Sequence, residues 1–180
     1  MRVGRLGRAT GLVLASIVAG VGGVLVTTAG TAQAYGTGRV CMFNATEGAF
    51  TAGHVGFAFR VGPADDWIYG ATESPTYNWW AETNQATMIN RFKSQGGAGY
   101  YDSFRCRDTG NSSVGSAKNK MLALFGQRYD VGANNCLTRS VEIFWAYDIS
   151  LGDLWGAAGT GPNFYYDNYL FGFGPRAYLH

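Results

Sequence analysis

Gly53-His54-Val55-Gly56-Phe57-Ala58-Phe59-Arg60-Val61 alternates with a period of two. Val55, Phe57 and Phe59 fall on one side and Gly56, Ala58 and Arg60 on the other, the pattern of a strand with one buried face. Gly62-Pro63-Ala64-Asp65-Asp66 reads as a turn, and Trp67-Ile68-Tyr69-Gly70-Ala71-Thr72-Glu73 returns as a second strand. The pair makes a hairpin that opens on His54 and closes on Glu73. Just upstream, Arg39 to Asn44 is short and apolar enough for an edge strand.

Downstream the period changes to that of helices. Thr83 to Gln95 spaces Ala86, Ile89 and Phe92 three apart and stops at Gly96-Gly97. Ser113 to Phe125 carries Val114, Ala117, Met121, Leu124 and Phe125 as an apolar stripe behind a serine cap. Cys136 to Tyr147 follows Asn135, a good N-cap residue, with Leu137, Val141 and Phe144 as its stripe. Beyond Gly156 the chain is rich in Gly and Tyr, and Asn163-Phe164-Tyr165-Tyr166 and Tyr169-Leu170-Phe171 are candidate short strands. The expected class is α+β, an antiparallel sheet packed against helices, with strands and helices segregated along the chain.

The first residues read as an export signal. Arg2, Arg5 and Arg8 precede an uncharged apolar stretch from Ala9 to about Val26, long enough to be an uncleaved membrane anchor instead, but rich in Gly, Ala and Thr and followed by the small-x-small cleavage pattern Ala32-Gln33-Ala34. Cleavage after Ala34 would leave residues 35–180 as a single domain. It would also remove three arginines, leaving 11 basic against 12 acidic residues, so the whole-chain charge of +2 describes only the precursor. A near-neutral domain gives no electrostatic reason to bind nucleic acid or anionic membrane. Membrane contact is expected only through the signal peptide, the product is expected to be secreted, and a monomer is expected.

Cys41, Cys106 and Cys136 all lie in the exported portion, and an oxidising compartment should pair two of them. Three single bridges are possible. The favoured one, Cys41 to Cys106, leaves Cys136 free. That thiol would sit at the first turn of a helix, where unpaired N–H groups and a partial positive charge favour the thiolate. His54 is the only histidine besides the terminal His180, and its imidazole can act as acid and base toward a cysteine. Glu73 is the candidate acceptor that orients the imidazole. The N–H of Cys136 is one oxyanion donor, and Tyr129 or Asn134 is a candidate for a second, beside the Asn135 cap. Taken singly, a helical cysteine is more often a small buried hydrophobe and a strand histidine more often structural. Trp79-Trp80, with Tyr77 beside them, are either a platform for glycan or peptide or part of the core. One internal histidine and scattered cysteines offer no metal-ligand spacing, so neither metal nor cofactor is expected.

A histidine opening a His-Val-Gly-Phe strand, a second strand ending in an acidic residue, and a much later Tyr-x5-Asn-Cys opening a helix resemble the circularly permuted NlpC-type papain-like proteins, which include the lecithin:retinol acyltransferase-like enzymes and bacterial relatives. The likeness spans about Gly53 to Tyr147. It implies Cys136 as nucleophile, His54 as base, Glu73 as third polar residue, and Tyr129 as a tyrosine often found ahead of the Asn-Cys pair. The Gly/Tyr-rich spacer carrying Cys106 departs from that pattern and leaves the substrate open. The expected activity is cleavage of an amide bond in an extracellular or peptidoglycan-like peptide, with acyl transfer or ester cleavage on the same machinery. The rivals are a non-catalytic binding or effector module and a structural surface protein held by aromatic packing.

Overall fold

The computed structural model describes residues 38–96 and 100–179. The expected signal peptide over residues 1–34, the helix stop at Gly97 and the terminal His180 lie outside the described residues. Strands β1 (Gly38–Ala45), β2 (His54–Arg60), β3 (Asp66–Ser74), β4 (Tyr77–Asn84), β5 (Ser103–Thr109) and β6 (Ala177–Tyr178) form one sheet in the order β4-β3-β2-β1-β5-β6. Every neighbouring pair is antiparallel. Helices α1 (Gln85–Ser94), α2 (Val114–Phe125), α3 (Cys136–Tyr147) and α4 (Pro162–Asn168), with a 3-10 turn at Ile149–Asp153, complete an α+β fold.

Alternation along the strands feeds two cores. Val40, Met42, Val55, Phe57, Phe59 and Ile68 meet Met121, Leu137 and Phe144 of the helices on one face. Phe43, Ala58, Tyr69 and Ala71 meet Met88 and Phe92 of α1 on the other. The hairpin therefore forms as its pattern requires, but β2 is buried on both faces rather than one. Its small residues explain this. A Cβ added to Gly56 would come within 2.6 Å of the Phe92 ring, so Gly56 makes room for α1 on the side that the alternation leaves to solvent.

Several expectations need correcting. The stretch from Arg39 to Asn44 is not at an edge, because β1 lies between β2 and β5. Strand β5, Ser-Phe-Arg-Cys-Arg-Asp-Thr, is too polar to announce itself, and its place after α1 also breaks the expected segregation of strands and helices. Helix α1 starts at Gln85 instead of Thr83, since Thr83 and Asn84 still pair with β3. Its buried stripe is Met88 and Phe92, with Ala86 exposed. Ser113 does sit at the N-cap of α2, but its side chain makes no capping hydrogen bond. Asn163 to Tyr166 is helical, for Pro162 at the first turn of α4 presets a helical φ and needs no hydrogen-bond acceptor there. Tyr169-Leu170-Phe171 lies outside any strand.

Candidate functional site

The hairpin register positions the first two side chains. Gly56 pairs with Ala71, and the same ladder carried two residues outward sets His54 opposite Glu73. The β3–β4 register slips between Thr72 and Ser74, so Glu73 is the residue at an irregularity, a device that re-aims a side chain. His54 Nε2 lies 2.9 Å from Glu73 Oε2, with the two side chains 5% and 11% exposed. The N–H does not point along that line, so the contact is charge pairing rather than a well-aligned hydrogen bond. The other carboxylate oxygen, Oε1, accepts from Trp79 Nε1 at 2.6 Å and from the Tyr101 hydroxyl at 3.1 Å.

Cys136 arrives from the opposite side of the sheet as the first residue of α3. Asn135 caps that helix, its Oδ1 accepting from the N–H groups of Leu137 and Thr138 at 2.9 and 3.0 Å, while the Thr138 hydroxyl accepts from the Asn135 N–H. The preceding loop is tied down as well. Asp130 and Asn134 exchange backbone hydrogen bonds, and Asp130 Oδ1 accepts from the N–H groups of Gly132 and Ala133. A thiol so placed has one rotation about its Cα–Cβ bond left to set its direction. It is free and 5% exposed, and it contacts the His54 imidazole.

The electrostatics couple all three groups. Burial alone would pull His54 down; its contacts with Cys136 and Glu73, and their negative charge, outweigh that and push the imidazole up to about 10. Burial would raise Glu73, but His54, reinforced by Trp79 and Tyr101, holds the carboxyl below its ordinary range. The raised His54 therefore stabilises the fold fully below its unfolded value of 6.5, and that contribution fades as pH rises through about 10. Glu73, depressed, contributes above its ordinary value of 4.5 and loses the contribution as pH falls through its lowered value. Nitrogen-15 NMR should accordingly find His54 as imidazolium from pH 5 to pH 8, with a lower midpoint in Cys136→Ala. A wild-type midpoint of 6 to 7 would refute the coupling.

The remaining expected residues divide. Tyr129 belongs at the thiol: its hydroxyl meets the backbone N–H of Cys136, and burial, then the charge of Cys136, raise it. Asn134 does not present a free donor, because its Nδ2 donates to Arg128 O at 2.6 Å and its Oδ1 accepts from Arg139 Nε at 2.9 Å. Asn135 is occupied as the cap. The tryptophans face opposite ways, as strand neighbours must: Trp79 is buried on Glu73, whereas Trp80 is 39% exposed beneath the Lys118 ammonium. Trp79 thus orients the carboxylate from within the core, while Trp80 and Tyr77 are both exposed.

Two further participants carry no local signal in the sequence. Tyr101 is fully buried against Glu73, its ring 5.8 Å from that of His54, yet it comes from a Gly/Tyr-rich stretch without periodicity. Arg139 is 2% exposed one turn beyond Cys136, at a helical position where arginine is ordinarily a solvated charge. Cys41 and Cys106 face each other directly across β1 and β5 and are joined by a disulfide. No protein-family model matches the chain, and searches of curated proteins and of solved structures returned no match.

Proposed function

We propose that this chain is a secreted cysteine hydrolase that opens an amide bond through an acyl-enzyme on Cys136. The observation that carries the reading is the convergence of a free thiol at a helix N-terminus, an imidazole held charged, and a carboxylate oriented by two further donors. The Cys136 thiolate attacks the carbonyl carbon, and the N–H of Cys136 with the Tyr129 hydroxyl is the candidate setting for the oxyanion. His54 gives its proton to the leaving amine as the C–N bond breaks. A water then attacks the thioester, its proton passes to His54, and Cys136 leaves as thiolate. Glu73 keeps the imidazole in place throughout.

The chain order His54, Glu73, Cys136 and the antiparallel sheet backed by the nucleophile's helix support a permuted papain-like fold of NlpC type. The disulfide and the Arg-led apolar leader support export, and export makes cell-wall stem peptides or other extracellular peptides the leading substrates. A second reading, a binding module without turnover, draws on the 5% exposure of Cys136.

Alkylation separates the two. Iodoacetamide with peptide mass mapping at pH 6 should label Cys136 alone, and His54→Ala should slow that labelling by roughly tenfold or more. Labelling that is slow at pH 6 in wild type and indifferent to His54 would sink the hydrolase in favour of the binding module.

A further inference from the structure

Arg139 ties the helix of Cys136 to three of the segments around the site. Its Nη1 donates to Thr72 Oγ1 at 3.1 Å and to Asn78 Oδ1 at 3.0 Å, Nη2 donates to Gln127 O at 2.9 Å, and Nε donates to Asn134 Oδ1. Thr72 immediately precedes Glu73, and Asn78 immediately precedes Trp79, the donor to Glu73. Asn134 and Gln127 bracket the loop that leads into Cys136, and the guanidinium lies 5.7 Å from the centre of the Tyr129 ring. One side chain on the nucleophile's helix thereby fixes the end of β3, the start of β4 and the loop bearing Tyr129.

All four acceptors are neutral. Among the described residues no carboxylate pairs with Arg139, although a buried charge ordinarily demands a partner. Arg105 offers the contrast within the same chain. It too is ringed by neutral oxygens, the carbonyls of Gly174, Tyr166, Leu170 and Phe173, but those belong to the C-terminal segment. Arg139 alone has an ionisable thiol one turn away on its own helix. The other titratable groups coupled to Cys136 are His54, Tyr100, Tyr101 and Tyr129, with Glu73 behind His54.

We infer that Arg139 is a positioning residue for the hydrolase site, locking the helix of Cys136 to the strands that carry Glu73 and Trp79 and leaving its own positive charge to be balanced by the negative charge on Cys136. The inference rests on the proposed chemistry at Cys136. Burial weakens the guanidinium's hold on its proton, and the charge of Tyr129 and then that of Cys136 act the other way.

Two variants test it. Asn78→Asp keeps the side chain's shape and the acceptor for Nη1, and it exchanges the Nδ2 donation to Phe125 O for the missing carboxylate. It should slow Cys136 alkylation at pH 6 by roughly tenfold and raise the pH of half-maximal alkylation by about one unit, in a protein that a thermal melt shows still folded. Arg139→Met should raise that pH similarly, and Arg139→Lys, which keeps the charge and loses the fork, should raise it less. If Arg139→Met does not fold, Asn78→Asp decides. An alkylation profile unchanged in Asn78→Asp overturns the charge assignment, and Arg139→Met and Arg139→Lys profiles that both match wild type reduce Arg139 to scaffolding. Either result counts only where wild type already shows His54-dependent labelling; without that dependence, it is the hydrolase reading that has failed.

Discussion

Replacing Cys136 with alanine should lower amide hydrolysis by roughly 10⁴-fold or more, because the proposed acyl intermediate forms on its sulfur. The loss should come without unfolding. One buried sulfur is removed from a helix whose cap and apolar stripe remain, a change of about 1 kcal/mol. The check is the initial rate on soluble cell-wall peptides, with products identified by mass spectrometry, beside a thermal melt of both proteins. Equal rates for wild type and Cys136→Ala would remove Cys136 from the reaction. His54→Ala should lose activity on a similar scale, and Glu73→Gln less, since the carboxylate acts through the imidazole and Trp79 and Tyr101 would still hold the amide in place.

The parts of this site that could be read in the sequence are those carried by local periodicity. His54 and Glu73 share one hairpin, and an alternating pattern with a clear turn fixes which residues face each other. Cys136 announces itself through the asparagine before it and the stripe after it. Tyr101 and Arg139 act over long range, 28 residues from Glu73 in one case and 67 from Thr72 in the other, and nothing local marks such partners. The same limit explains β5. Its alternating arginines look solvated in sequence, but Arg105 is drawn inward by carbonyls more than 60 residues away. Asn134 shows the same limit: an amide beside a candidate nucleophile suggests a donor, and only the fold reveals that Arg128 O and Arg139 Nε already occupy it.

Loss of the disulfide should be the largest single stability effect. Cys41 and Cys106 are 65 residues apart, and in the chain-entropy account a loop of that length is worth about 4 kcal/mol. The double variant Cys41→Ala, Cys106→Ala should therefore melt about 10 °C or more below wild type, as followed by circular dichroism. The site itself should survive at low temperature, because His54 sits at the end of β2 and Cys136 is carried by α3, neither of which depends on the bridge for its register. A shift under about 3 °C would show that the β1–β5 ladder already restrains the chain without the covalent link.

Residues 155–179 contribute none of His54, Glu73 and Cys136, yet they close the frame around them. Asn163 donates through Nδ2 to the carbonyls of Thr46 and Thr51 and through its backbone N–H to Ala52, in the loop that enters His54. Gly159 donates to Gly132, in the loop that enters Cys136, and β6 extends the sheet beyond β5. Chemistry and autonomy thus have different boundaries in this chain. A fragment ending after α3 would hold every reactive atom and still lack the segment that braces both approaches to them. A single nick near Gly161 would leave His54, Glu73 and Cys136 in the chain while cutting through the segment that braces both loops.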